Sequence, residues 1–130
     1  SAASDVYKRQ NVQGSLRDGA KKIFRGTIDF KTGASDSVGN EQETVLMLGE
    51  DVENKTVPVI LCSEENVVGN HGATIGELDE DTLFYLASRG ISREQAEDMM
   101  ARAGVERLKS LIADEAFTAM IDEELGGNSI

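Results

Sequence analysis

The chain has 130 residues, 39% of them hydrophobic, and a formal net charge of −11. This length predicts one domain or part of one, with a small core. Such acidity argues against nucleic-acid binding, which needs positive charge for the phosphates, and no apolar run approaches the roughly 20 residues that span a bilayer.

Residues 1–13 are expected to be non-native or disordered, and Ser1–Gln10 lack the apolar stretch of a signal peptide. Polar and apolar side chains then alternate over Lys21–Lys31, which predicts a half-buried strand. A loop rich in Gly, Ser and Asp is expected over Gly33–Asn40. Three further strands are predicted over residues 44–48, 56–62 and 66–68. Composition leaves open whether they form a sandwich or a solenoid.

Beyond Gly76 the hydrophobic period changes from strand-like to helix-like. Asp79 is a favourable N-cap for a helix over residues 80–88, and Gly90 is placed to end it. Ser92 and Gln95 have the spacing of a capping box for a second helix. We expect that helix to continue to about residue 112 with a bend at Gly104, and a last amphipathic segment to end at Gly126-Gly127.

His71 is the only histidine and Cys62 the only cysteine. An imidazole in the Gly-rich stretch 69–76 can be a metal ligand, a general base or a structural hydrogen-bonding group. Cys62 closes an apolar strand and can equally be an inert packing residue. One hypothesis is that Cys62, Glu64 and His71 form a patch of soft and hard metal ligands.

The small number of possible metal ligands limits which cofactors this chain can hold. An iron–sulfur cluster usually needs four protein ligands, mostly thiolates, so this chain can supply only part of a shell and a cluster needs a second subunit. A single thiol excludes an internal disulfide and favours a reducing compartment, which we expect to be the cytoplasm. The sequence has no phosphate-binding loop of the Gly-x-x-x-x-Gly-Lys type, so no nucleotide site is expected.

Three short segments of the sequence resemble the C-terminal part of the SufB/SufD family, the scaffold proteins of the SUF iron–sulfur cluster assembly system. They are Lys22-Ile23-Phe24-Arg25-Gly26, His71-Gly72-Ala73-Thr74 and Phe84-Tyr85-Leu86-x-Ser88-Arg89-Gly90-Ile91. The resemblance extends from about Gly14 to about Leu125 and is strongest to SufD-like members. It implies a mainly β fold with α: residues 14–77 as the end of a right-handed parallel β-helix, 78–126 as a C-terminal helical region, and 127–130 as a tail.

The resemblance also implies a function. The chain is expected to be a non-catalytic scaffold that docks a SufC-type ATPase and a SufB/SufD-type partner, with a transient cluster at the subunit interface. The histidine of the His71–Thr74 motif is the family residue tied to cluster assembly. ATPase docking falls to the helical region, with candidates Phe84, Tyr85, Arg89, Met99 and Met100. SufD-like members often have a cysteine two residues before the histidine, where this chain has Gly69.

Two alternatives stay open. The first is a structural relative that docks the ATPase without ligating a cluster, which the glycine at position 69 motivates. The second is a β-helix acyltransferase with His71 as general base. The second predicts six-residue aliphatic repeats, which the sequence lacks.

Overall fold

The computed structural model describes residues 7–125, in which β-strands are followed by α-helices. The strands are β1 Tyr7–Arg17, β2 Lys21–Phe24, β3 Thr27–Phe30, β4 Val38–Leu48, β5 Glu53–Thr56, β6 Val59–Cys62 and β7 Val68–Glu77. The helices are α1 Glu80–Ser88, α2 Arg93–Lys109 and α3 Glu115–Glu124. Residues 126–127, where the last helix was expected to end, lie outside the described part.

The strands pair in parallel in three sheets, ordered β1–β4–β7, β2–β5 and β3–β6. Paired strands are separated by about 30 residues of sequence: Tyr7 lies opposite Val38, and Val38 lies opposite Val68. The chain therefore makes successive circuits of similar length, and each circuit lays its strands beside those of the circuit before. This parallel order differs from the antiparallel pairing of a sandwich.

The prediction of single strands over 21–31 and 56–62 was wrong, because each segment turns a corner. Arg25-Gly26 separates β2 from β3, which lie in different sheets, and Val57-Pro58 separates Thr56, the last residue of β5, from β6 in another sheet. The corners stack: the Val59 amide donates to the Gly26 carbonyl at 2.8 Å. Pro58 has no amide hydrogen to donate, and a corner is one of the positions that tolerate it.

Three more boundaries differ from the sequence prediction. Residues 7–13, expected to lie outside the fold, form the first part of β1, and β4 begins at Val38 within the expected loop. The strand predicted over 66–68 is β7, which continues to Glu77. These segments are poor in apolar residues, so their hydrophobic pattern does not predict a strand. Backbone pairing with the neighbouring circuit stabilises them as strands.

The apolar core is small and lies at one end of the long strands. Leu16, Val45 and Val52 form its buried cluster. Alternate residues of β4 point inward, which buries Gly39, Glu41, Glu43 and Val45. The inward row is therefore apolar at one end and charged in the middle.

The helix caps follow the sequence prediction. The Thr82 amide donates to Asp79 Oδ2 at 3.2 Å, and the Ser92–Gln95 capping box is present. Gly90 has φ +83°, the left-handed conformation that glycine favours after a helix. The second helix was expected to continue to about residue 112, but α2 ends at Lys109 and a separate helix, α3, follows.

The second helix packs against β1, where Arg17 Nη1 lies 3.6 Å from Asp98 Oδ1. Ala96 of α2 and Leu83 of α1 are buried. Within residues 7–125, no helix combines the length and apolar character needed to cross a bilayer.

Candidate functional site

His71 lies on β7 directly opposite Glu41 of β4. Its Nδ1 atom is 3.0 Å from Glu41 Oε1, and the two side chains are 19% and 2% exposed. Both residues occupy the inward row of their strands, so the parallel register itself creates the contact. A one-residue slip in either strand would send one of the two side chains to the opposite face.

This contact bears on which nitrogen of the imidazole can bind a metal. An ionised carboxylate only accepts hydrogen bonds, so a hydrogen bond between Nδ1 and an ionised Glu41 is one that the imidazole donates. In neutral imidazole the lone pair is then on Nε2. A carboxylate on one ring nitrogen is the usual partner of a histidine that binds metal through the other.

Gly26 makes room for Glu41. A β-carbon at this position would overlap the Glu41 carboxylate, so any side chain at 26 displaces it. The second carboxylate oxygen, Oε2, is buried and has no hydrogen-bond partner among the described residues. The Arg25-Gly26 corner and the His71 motif, far apart in sequence, therefore meet at one carboxylate.

A second buried carboxylate, Glu43, lies two residues along the same row. It forms an ion pair with Lys22 and accepts a hydrogen bond of 2.6 Å from Thr56 Oγ1. Asn54 Oδ1 accepts from the same lysine at 3.2 Å. Burial raises the pKa of Glu43, but the hydrogen bonds from Lys22 and Thr56, helped by the charge of Lys22, outweigh it and hold the pKa below its usual range.

The register places the three residues that follow His71 against β4. Gly72 lies under the Gln42 side chain, which a β-carbon at 72 would contact closely. Ala73 lies opposite Glu43, where its small side chain leaves room for the ion cluster. Thr74 pairs with Thr44. The residues of the motif therefore fit against their partners on β4, the preceding strand of the same sheet.

An open cavity of about 340 Å³ adjoins the His71–Glu41 pair. Most of its lining is polar and uncharged, with Arg9 at one side; the lining residues are Arg9, Asn11, Asn40, Glu41, Gln42, Asn70, His71 and Gly72. Asn70 Nδ2 donates to Asn40 Oδ1 at 2.9 Å across this surface. The side chains of Asn40, Gln42 and Asn70 alternate with those of the inward row, so the cavity opens on the outer face of the sheet, behind the imidazole.

Cys62 and Glu64 are hydrogen-bonded to each other, whereas the hydrogen bond of His71 is to Glu41. The Cys62 thiol donates to the Glu64 carbonyl at 2.9 Å, and Glu64 Oε2 accepts from the Gly33 amide at the same distance. Within residues 7–125, no three His, Cys, Asp or Glu side chains converge closely enough to hold a metal ion. Cys62 is exposed, in contrast to an inert packing residue.

Gly69 shares the inward row with His71. A β-carbon there would lie 3.0 Å from the Phe30 ring and 3.2 Å from Ile60, so a larger residue requires these neighbours to shift slightly. The side chain of any residue at 69 would point to the same face as the imidazole.

The docking candidates in the helices are all exposed. Phe84 is 77% exposed and Tyr85 is 55% exposed, with the Arg89 guanidinium 5.2 Å from the Tyr85 ring centre. Met99 and Met100 on α2 are also exposed. These apolar side chains form a surface outside the core in the described part of the chain.

Sequence reasoning missed Glu41, Glu43 and Lys22 as members of a buried polar interior. One signal was available: Val38-Gly39-Asn40 recurs 30 residues later as Val68-Gly69-Asn70, and the two copies pair residue for residue. The repeat places His71 opposite Glu41.

Comparison with known proteins identifies the family. The family model of the SUF system FeS cluster assembly SufBD core domain matches residues 2–104. The chain belongs to the SufB/SufD family. Among its relatives, the iron–sulfur cluster assembly protein SufD of Bacillus subtilis is 37% identical over 67% of this chain. The SufD protein of Escherichia coli is 29% identical over 91% of it. A SufBD family protein of Staphylococcus saprophyticus is 29% identical over 80%.

The SufB/SufD relatives are much longer than this chain. The matched segments cover 20% of the Bacillus protein, 28% of the Escherichia protein and 24% of the Staphylococcus protein. The chain therefore spans about a quarter of the length of these relatives. Its membership of the family supports a role in iron–sulfur cluster assembly by the SUF system.

Proposed function

We propose that this chain is part of a scaffold subunit on which a nascent iron–sulfur cluster forms at the interface with a second scaffold subunit, with His71 as a ligand. The observation that carries the proposal is the placement of His71 on β7, the last strand of its sheet in the described chain, with Nδ1 engaged by Glu41. The other ring nitrogen is left as the donor atom.

We further infer that the strands are successive coils of a right-handed parallel β-helix. Three parallel sheets, a nearly constant separation of about 30 residues and stacked corners at Gly26 and Pro58 support this inference. Such a solenoid ends in an unpaired strand edge, which is a natural surface for pairing with another chain.

The last circuit, which contains β6 and β7, exposes apolar side chains that a partner could cover. Its exposed apolar side chains include Val59, Ile60 and Leu61 of β6 and Val68 and Ile75 of β7. The free edge of β7 and this apolar surface lie on the same circuit as His71. A scaffold partner that covers them would bring its own ligands to the imidazole, completing a shell that this chain supplies only in part.

The helical region is the proposed docking surface for a SufC-type ATPase. Phe84 and Tyr85 offer exposed aromatic area, and Arg89 lies against the Tyr85 ring. Aromatic side chains and arginine are the residues that most often carry binding energy in interfaces. ATP hydrolysis is assigned to the partner, and this chain is proposed to be non-catalytic.

A structural relative without cluster ligation is the competing function. Two observations favour it: Gly69 stands where SufD-like members often have cysteine, and no three-ligand group converges within residues 7–125. Both functions share ATPase docking, so they differ only in whether the complex loses its cluster when His71 is removed.

The deciding experiment measures iron and acid-labile sulfide after anaerobic co-expression of the complete protein with its ATPase and scaffold partner. His71→Ala is compared with wild type in complexes of equal subunit content. Joint loss of iron and sulfide supports ligation by His71. Equal content in both complexes leaves the docking relative as the function.

Asn70→Ala is the matched control. Asn70 neighbours His71 on β7 and contacts Asn40 on the adjacent strand, so its removal disturbs the same strand pair, on the opposite face, without touching the imidazole. We expect it to retain iron and sulfide. Loss in both variants would mean that the strand surface, and not the histidine, holds the cluster.

A further inference from the structure

We propose that Glu41 is the positioning residue of this site: it holds His71 in the Nδ1–H tautomer and aims Nε2 as the metal-binding atom. The inference rests on the proposed function, since it assigns Glu41 a role toward a ligand histidine. It concerns the neighbouring circuit of the fold, 30 residues before the histidine, and not the motif around it.

The geometry is specific to this pair. Glu41 Oε1 is 3.0 Å from Nδ1, and the glutamate side chain is 2% exposed, so water competes little for the contact. Burying a carboxylate is costly unless it is paired or hydrogen-bonded. The carboxylate lies directly against Gly26, where a β-carbon would overlap it.

Glu41 differs in this respect from Glu43, the other buried carboxylate of the row. Glu43 is paired with Lys22 and bonded to Thr56, so its charge is balanced within the interior. Glu41 has His71 as its hydrogen-bond partner and an oxygen, Oε2, that accepts no hydrogen bond from a described residue. The contact with His71 is therefore the hydrogen bond that the Glu41 side chain makes in this interior, and it ties the position of each group to that of the other.

The chemical consequence is a more competent ligand. A carboxylate on Nδ1–H fixes the ring orientation, keeps the lone pair on Nε2 and raises the basicity of the imidazole toward a metal. Loss of such a partner typically weakens metal binding by about 10–100-fold. Glu41 would exert this effect without contacting the cluster.

The tautomer can be read directly by ¹⁵N NMR of the full chain at a pH where imidazole is neutral. The ring signals of His71 are assigned by their absence from the spectrum of His71→Ala. Wild type is expected to show Nδ1 protonated and Nε2 unprotonated. Observation of the Nε2–H tautomer in wild type overturns the proposal.

Two substitutions separate positioning from structure. Glu41→Leu removes the acceptor and is expected to lose the Nδ1–H preference, whereas Glu41→Gln retains an amide oxygen and should keep part of it. Glu43→Gln is the matched control, since it alters a buried carboxylate of the same row that does not contact His71. An unchanged tautomer in Glu41→Leu, or an equal change in Glu43→Gln, contradicts the assignment.

The functional arm titrates Fe²⁺ anaerobically into the assembled complex. We expect affinity to fall about 10-fold or more in Glu41→Leu, with an intermediate value in Glu41→Gln and none of this loss in Glu43→Gln. Weakening by His71→Ala but not by Glu41→Leu overturns the role of Glu41 and leaves the proposed function standing. No weakening by His71→Ala overturns both, whatever the NMR result.

Discussion

The ammonium group of Lys22 is paired with the carboxylate of Glu43, a side chain with no exposed surface. The two residues come from strands of different sheets, and Thr56 completes the contact from a third strand. The interior of the circuits is therefore joined by charge as well as by apolar packing.

Lys22→Met is expected to destabilise the fold by about 3–5 kcal/mol, because it leaves the Glu43 charge buried and without its cation. Urea unfolding followed by circular dichroism measures the loss. Lys21→Met is a close control: Lys21 pairs with Glu53 at 2.9 Å, but both side chains are about two-thirds exposed. Such a pair contributes about 0–1 kcal/mol, so equal losses in the two variants would refute the distinction.

The low pKa of Glu43 predicts acid sensitivity. In the unfolded chain this group takes up a proton near its ordinary value of 4.5, whereas the folded protein keeps it ionised to lower pH. The stabilisation is thus complete above that value and is lost as pH falls through the folded pKa. Unfolding free energy measured against pH should fall less steeply in Glu43→Gln, and identical slopes would contradict the prediction. Glu53→Gln, at an exposed carboxylate, is the control.

Gly26→Ala is expected to destabilise the fold by about 1–3 kcal/mol, the usual cost of adding a methyl group to a filled interior. The new β-carbon overlaps the Glu41 carboxylate and must displace it. Thermal unfolding reports the loss, and the His71 ring signals report movement of the carboxylate. Gly76→Ala adds the same methyl group where nothing lies within 4 Å. It should be nearly neutral, and a similar loss there would point to backbone effects.

Phe84→Ala combined with Tyr85→Ala is expected to weaken binding of the SufC-type ATPase by about 2 kcal/mol or more, if these rings lie at the centre of the contact. Calorimetric titration of the complete protein with the ATPase gives the change. Leu111→Ala serves as control, because Leu111 is 67% exposed but lies beyond the second helix. Unaltered affinity in the double variant would exclude this surface as the docking site.

The sequence predicted the helical part of the fold far better than the strands. Asp79, Ser92 and Gln95 act through neighbours three residues away, so their caps can be read locally. Strand ends, by contrast, are set by pairing between residues about 30 positions apart. The corner at Gly26 was missed for that reason: the alternation of β2 runs on into β3 without a break in hydrophobic pattern.

Of the two residues that meet at the candidate site, the sequence predicted His71 but not Glu41. His71 is conspicuous as the only imidazole, and its motif resembles a known family. Glu41 lies among many acidic residues, and nothing local distinguishes it from Gln42 or Glu50. Only the register shows that it is buried and faces the histidine. Burial of a charge is a tertiary property, and hydrophobic patterning predicts the opposite.

The pairing of Val38-Gly39-Asn40 with Val68-Gly69-Asn70 also constrains how the length of such a chain can vary. Insertion or deletion of one residue within β4 would turn Glu41 and Glu43 toward solvent and bring Gln42 and Thr44 inside. Changes in the loops at residues 31–37 and 63–67 leave every inward row intact. Length differences among related proteins should therefore accumulate in those two loops, while the long strands keep a fixed count.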